Sequence, residues 1–124
     1  MTEFSKQILI VEDDKGTAEL FSEMLNVGGY QVRVCFDSKQ AISALETSRP
    51  DAIILDMMMP VSSGMDLLKF VREHADFSTI PVVVVSAQGL PTEIERAEKA
   101  GASAYLTKPV SFLDIKEALE KVLL

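Results

Sequence analysis

The segment QILIVEDDKG, residues 7–16, decides the architecture. Its four consecutive apolar residues, Ile8 to Val11, leave no polar face. A strand of that kind is covered on both sides, as parallel strands are inside an α/β sheet. The acids Glu12, Asp13 and Asp14 follow at once, and from Lys15 to Asn26 the apolar residues Ala18, Phe21, Met24 and Leu25 fall on one helical face. The segment therefore reads as a buried strand, an acidic end and a helix, with Asp13 or Asp14 as N-cap and Gly28-Gly29 as the stop.

The same succession repeats along the chain. Further strands are expected at Gln31–Cys35, Ala52–Asp56, Pro81–Ser86 and Ala104–Thr107, and helices at Lys39–Thr47, Gly64–His74, Pro91–Ala100 and Ser111–Leu123. Arg49-Pro50 and Gly101 stop the second and fourth helices, and Ser111 with Asp114 forms a relative of the capping box. Helical spacing predicts apolar faces of Leu67, Leu68 and Val71, then Leu90, Ile94 and Ala97, then Phe112, Ile115, Leu119 and Val122. Ala52–Leu55 and Val82–Val85 are uninterrupted apolar runs like the first, so three strands are interior. The second alternates Val32 and Val34 with Gln31 and Arg33, and the fifth is short, so these two are edges. Right-handed crossovers then give the order 2-1-3-4-5, a flavodoxin-like doubly wound sheet built from five βα units. In such a sheet the site lies beyond the carboxyl ends, where strands 1 and 3 diverge.

Size and charge narrow the function. The 124 residues are 48% hydrophobic and suffice for one core, so residues 1–124 are expected to form one domain without an output domain. No apolar run approaches the ~20 residues that span a bilayer, and the polar stretch Met1–Gln7 offers no signal-peptide core. One cysteine, Cys35, suits a reducing compartment, and a cytoplasmic location is expected. With 12 basic and 19 acidic side chains the net charge is −7, which argues against direct binding of nucleic acid or an anionic membrane.

The strand ends carry the chemistry. Glu12 and Asp13 follow strand 1, Asp56 ends strand 3, Ser86 ends strand 4 and Lys108 follows strand 5. Converging carboxylates repel unless a cation compensates, and oxygen ligands without His or thiolate favour Mg²⁺ over Ca²⁺ when they are few. Metal, lysine, hydroxyl and neighbouring backbone N–H groups together suit a phosphoryl group. The sequence has neither GxxxxGK[ST] nor GxGxxG, so that group is not held as part of a nucleotide. Covalent attachment to a carboxylate remains, with Asp56 as nucleophile. Taken singly these residues are caps, turn starters and surface charges; solvated charges, however, have no reason to share one rim.

With ILIVEDD at 8–14, PDAIILDMMMPVSSGMDLL at 50–68, PVVVVSAQG at 81–89 and AGASAYLTKP at 100–109, nearly the whole chain resembles the receiver domain of two-component response regulators, in the single-domain form of the chemotaxis receivers. The 2-1-3-4-5 order is itself known from a chemotaxis receiver, so topology and resemblance are not independent. The resemblance implies that Asp56 is the phosphoacceptor, taking a phosphoryl group from a histidine kinase or phosphotransfer protein. It implies that Asp13, Asp56 and the main-chain carbonyl of Met58 bind Mg²⁺ or Mn²⁺, with Glu12 acting through water. Lys108, Ser86 and the Ala87 backbone would contact the phosphoryl oxygens, and Ser86 with Tyr105 would form the switch. An effector would read the face of the fourth helix, fifth strand and fifth helix, on a monomer or a phosphorylation-dependent dimer. Such a module is a signalling domain, an enzyme only toward its own phosphorylation and dephosphorylation.

Several residues depart from the pattern or stand outside it. Met58, with Gln88 two places after Ser86, flanks the phosphoryl group in the family and tunes hydrolysis. Neither is a carboxylate, so slow self-hydrolysis is expected. The run Met57–Met59 is read as loop packed partly on the core, and Leu124 as the close of the last helix. The Lys108-Pro109 bond is cis in many receivers. Gly16 falls in the first turn of a helix, where it costs up to ~1 kcal/mol against alanine. His74 is read as a surface helix end where the cation is favoured. Two other functions share these folds or residues. Flavin electron transfer would need a hydroxyl- and glycine-rich loop after strand 1, which here is acidic, and an aspartyl-phosphate phosphohydrolase would need a general acid where Met58 stands.

Overall fold

The computed structural model describes residues 5–58 and 64–123. The expectations for Met59 and Leu124 lie outside these residues. Strands and helices alternate as β1 (Gln7–Val11), α1 (Lys15–Val27), β2 (Gln31–Cys35), α2 (Ser38–Thr47), β3 (Ala52–Asp56), α3 (Gly64–Glu73), β4 (Val82–Ser86), α4 (Pro91–Lys99), β5 (Ala104–Thr107) and α5 (Phe112–Val122). The sheet is parallel throughout, in the order β2-β1-β3-β4-β5. This is the flavodoxin-like order expected from the strand chemistry.

Alternate residues of a strand point to opposite faces, so each interior strand serves two cores. Leu9, Val11, Ile53, Leu55, Val82 and Val84 meet Ala41 and Leu45 of α2 and Leu67, Leu68 and Val71 of α3. Ile8, Ile10, Ile54, Val83 and Val85 meet Phe21 and Leu25 of α1 and Ile115 and Leu119 of α5. The double coverage explains why β3 and β4 are buried along their whole length, whereas β2 alternates as an edge.

Local chemistry sets the element ends. Asp14, not Asp13, caps α1, its carboxylate accepting the Thr17 N–H at 2.8 Å. Asp37 caps α2 through the Gln40 N–H at 2.8 Å, which starts that helix at Ser38, one residue before the expected Lys39. Ser111 and Asp114 form a reciprocal capping box at α5. Pro81 stands outside β4, although its carbonyl accepts the Ile53 N–H at 2.9 Å.

Two expectations are corrected. Leu90 is 62% exposed, because α4 begins only after it and its side chain leaves the helix's core face; Ala97 is the fully buried member of that trio. His74 is half-buried and stacks on Phe77 with ring centroids 4.2 Å apart. The Asp76 N–H lies 3.1 Å from its Nδ1. Gly16 is exposed in the first turn of α1, and a Cβ there would meet Asp14 Oδ2 at an ordinary 3.6 Å.

Candidate functional site

Val11 pairs with Leu55 across β1 and β3, so the residues that follow, Glu12 and Asp56, emerge side by side at the carboxyl ends of the two central strands. Ser86 ends β4 opposite Thr107, and the Lys108 N–H donates to the Ser86 carbonyl at 2.8 Å. The Lys108-Pro109 peptide is cis, as the resemblance implied. From that anchor the Lys108 ammonium returns over the rim. Its Nζ lies 2.8 Å from Glu12 Oε1 and 3.8 Å from Asp56 Oδ2.

The remaining carboxylate oxygens are held by backbone. Glu12 Oε2 accepts the Asp14 N–H at 3.2 Å, and Asp56 Oδ1 accepts the Met58 N–H at 3.0 Å. Among the described residues, the buried polar or charged side chains are Glu12, Asp56 and Ser86, all at this rim. A fold that buries its polar groups in one place has gathered them there against a desolvation cost.

Burial pushes the Glu12 carboxyl up to about 7; its hydrogen bond from Lys108 opposes that shift, and the neighbouring Asp56 adds to it. For Lys108 burial acts downward, but the bond to Glu12 and the charges of Asp56, Glu12 and Asp13 outweigh it, and the net shift is upward. The lysine stays cationic while Glu12 is poised near neutrality. Ligand oxygens of Glu12, Asp13 and Asp56 all lie within 4.8 Å of one another, with Asp13 exposed and the other two buried. An all-oxygen donor set with one face open fits a hard, partly hydrated ion such as Mg²⁺.

Ser86 and Tyr105 are joined through the backbone of one residue, Gln88. Ser86 Oγ accepts the Gln88 N–H at 3.2 Å, and the Tyr105 hydroxyl donates to the Gln88 carbonyl at 2.6 Å. The sequence reading singled out Gln88 for its side chain; its backbone is what links the two residues. Ala87 is exposed beside Ser86, and Met58 is 51% exposed at the mouth of the site.

One residue escaped the sequence reading. A Cβ on Gly64 would lie 2.6 Å from the Asp56 carbonyl oxygen and 2.7 Å from Met57 Cα, so only glycine lets α3 start against the end of β3. Its signal in the sequence was a glycine at the first position of a helix, where glycine is otherwise a poor choice.

The chain is similar to known proteins over nearly all of its length. It is 29% identical to the polar-differentiation response regulator DivK of Brucella anthropi over 118 residues, 95% of this chain and 96% of that one. The crystal structure of the Vibrio cholerae chemotaxis protein CheY4 matches with a TM-score of 0.91 at 27% identity, over 96% of this chain and 99% of that one. The signal receiver domain of a signal transduction histidine kinase from Syntrophus aciditrophicus matches at 0.88 and 31% identity, over 96% and 90%. The family model for the response regulator receiver domain matches residues 8–120. With the acidic rim at the carboxyl ends of a 2-1-3-4-5 sheet, these likenesses have one meaning: the chain belongs to the response regulator receiver domain family, the signalling modules of two-component systems.

Proposed function

We propose that this receiver takes its phosphoryl group on Asp56, from a phosphohistidine of a histidine kinase or phosphotransfer protein. The observation that carries the reading is the Lys108 ammonium lying 3.8 Å from Asp56 Oδ2 within the Glu12, Asp13 and Asp56 cluster. An Asp56 oxygen attacks phosphorus, the phosphorus–nitrogen bond breaks, and the imidazole leaves with the electron pair. Asp13, Asp56 and the Met58 carbonyl would hold Mg²⁺ directly and Glu12 through water; the ion supplies charge neutralisation and orientation for the transfer. Lys108 offsets charge on the phosphoryl oxygens, and the Ser86 hydroxyl and Ala87 N–H donate to them.

The new oxygens draw the Ser86 Oγ, which would donate to them, away from the Gln88 N–H that it now accepts. Acyl phosphate formation adds roughly one negative charge and new acceptors. The Ser86 hydroxyl turned toward them no longer serves the Gln88 N–H in its present geometry, which loosens the residue whose carbonyl Tyr105 holds. A contact present in only one state is what shifts a two-state equilibrium. An effector would read that change on the α4, β5 and α5 face, with the chain monomeric or dimerising on phosphorylation. We further read residues 1–124 as one receiver domain working in the cytoplasm, without direct nucleic-acid or membrane binding. Among the described residues no helix is long and apolar enough to cross a membrane.

Incubation with Mg²⁺ and acetyl phosphate, followed by mass spectrometry, tests the central step. One added phosphoryl group is expected in wild type and none in Asp56→Asn. An unmodified wild type, or an equal adduct in the variant, overturns the proposal.

A further inference from the structure

Arg72, in the last turn of α3, reaches the turn that joins α4 to β5. Its Nε donates to the Gly101 carbonyl at 2.9 Å, and its Nη1 to the carbonyls of Ile80 at 2.6 Å and Ser78 at 3.2 Å. Its Nη2 lies 3.4 Å from Ser103 Oγ. No carboxylate forms a salt bridge with it among the described residues. A half-buried guanidinium whose partners are neutral oxygens on two separate loops fixes geometry, since its rigid fork sets the directions of several bonds at once.

Gly101 is shaped to receive it. Its φ is +110°, and a Cβ there would sit 2.7 Å from both Arg72 Cγ and Arg72 Nε. At this glycine α4 closes in a Schellman arrangement, with the Ala102 N–H on the Ala97 carbonyl at 2.9 Å and the Gly101 N–H on the Glu98 carbonyl at 3.0 Å. Ser103 then ties the turn to β4: its N–H donates to the Val82 carbonyl at 2.8 Å, and its Oγ accepts the Val82 N–H at 3.0 Å.

The opposite end of α4 has none of this. Leu90 caps the helix without a side-chain bond, Pro91 and Thr92 are exposed, and Ile94 is only half-buried. The preceding loop is held by the Gln88 backbone, its N–H bonded to Ser86 and its carbonyl to Tyr105.

We propose that Arg72 is the anchor of a hinge: it pins the C-terminal end of α4 at Gly101, so that the state-dependent motion is confined to the N-terminal end, from Gln88 to Ile94. This rests on the reading of the chain as a phosphoryl-driven switch. It makes Leu90 and Ile94, and not the α4–β5 turn, the part of α4 that changes for a partner. Lysine at position 72 keeps the charge but brings one nitrogen to acceptors that lie on two loops, so Arg72→Lys loses the clamp while keeping the cation.

Hydrogen exchange by mass spectrometry on the full chain tests it, with wild type and Arg72→Lys each measured with and without Mg²⁺ and beryllofluoride as the phosphoryl mimic. In the unmodified proteins, amides of residues 97–103 are expected to exchange about tenfold faster in the variant, with residues 88–94 within about twofold. Between residues 86 and 103 the mimic is expected to change wild-type exchange at 86–94 only and to spread to 97–103 in the variant. Unchanged protection at 97–103 in Arg72→Lys, or a wild-type response as large at 97–103 as at 88–94, overturns the hinge. If Arg72→Lys fails to fold, Ser103→Ala gives the same comparison with about a threefold expected effect, and no effect there overturns the hinge. The acetyl phosphate adduct is read in parallel. Its absence from wild type ends the Asp56 reading, while the comparison of unmodified proteins still decides the hinge.

Discussion

Glu12 shows how a single residue carries the cost of the site. Its folded pKa is raised from 4.5 to about 7, so the folded chain holds that proton more tightly than the unfolded one. The stability this contributes is complete below the unfolded value and is lost as pH rises through about 7. In the presence of a chelator, wild type is therefore expected to melt at a lower temperature at about pH 8 than at about pH 5.5, and Glu12→Gln to flatten that difference. A melting temperature independent of pH in wild type would contradict the assignment. Met58 and Gln88 carry a second prediction at this scale. Neither can deprotonate an attacking water, so the Asp56 adduct, chased by mass spectrometry after removal of acetyl phosphate, is expected to persist; decay within seconds would refute it. Glu12, Asp13, Asp56, Ser86 and Lys108 were all legible in the sequence because each ends or follows a strand, and strand ends in a parallel sheet share one rim. Gly64 and Arg72 were not, because what defines them is distant backbone: the Asp56 carbonyl for one and the carbonyls of Ser78, Ile80 and Gly101 for the other. No periodicity encodes such contacts.

Among the elements, two helix starts make opposite predictions from the same residue type. Gly16 is exposed in the first turn of α1, with ordinary space where a Cβ would be, so Gly16→Ala is expected to stabilise the chain by up to ~1 kcal/mol in urea melts. Gly64 also opens a helix, but its Cβ would press on the Asp56 carbonyl and Met57 Cα. Gly64→Ala must push β3 and α3 apart, and is expected to destabilise by about 1–3 kcal/mol and to slow phosphorylation by acetyl phosphate together. Stabilisation by Gly64→Ala, or destabilisation by Gly16→Ala, would reverse the argument. Element boundaries were legible where a cap or a glycine marks them, as at Asp14, Ser111 and Gly101. They slipped where two signals competed. Asp37 moved the start of α2 to Ser38, and Pro91 left Leu90 outside α4 although its spacing suits the apolar face. Helical spacing assigns a face only to residues inside the helix, so an error in the boundary became an error in burial.

For the whole molecule, the net charge of −7 has a location as well as a size. The sheet gathers Glu12, Asp13 and Asp56 at one rim, with oxygens within 4.8 Å, against the single ammonium of Lys108. The fold thus works against a local repulsion that general screening by salt relieves poorly, because two of the three carboxylates are buried. A divalent ion seated among them binds the folded chain and not the unfolded one, and its effect follows mass action. At a hundredfold excess over its Kd it adds about 2.7 kcal/mol. At roughly 3–5 °C per kcal/mol for a domain of this size, the melting temperature is expected to rise by about 10 °C. NaCl at equal ionic strength is expected to give a small fraction of that rise. Asp13→Asn separates site from surface: it removes one charge from an exposed residue, which general screening would hardly register, yet it removes a ligand from the cluster. The Mg²⁺-specific rise is therefore expected to collapse in Asp13→Asn and to survive in Glu95→Gln, a change of the same charge on the exposed face of α4. Equal losses in the two variants would mean that the chain senses Mg²⁺ as ionic strength, and that the acidic rim is not a metal site.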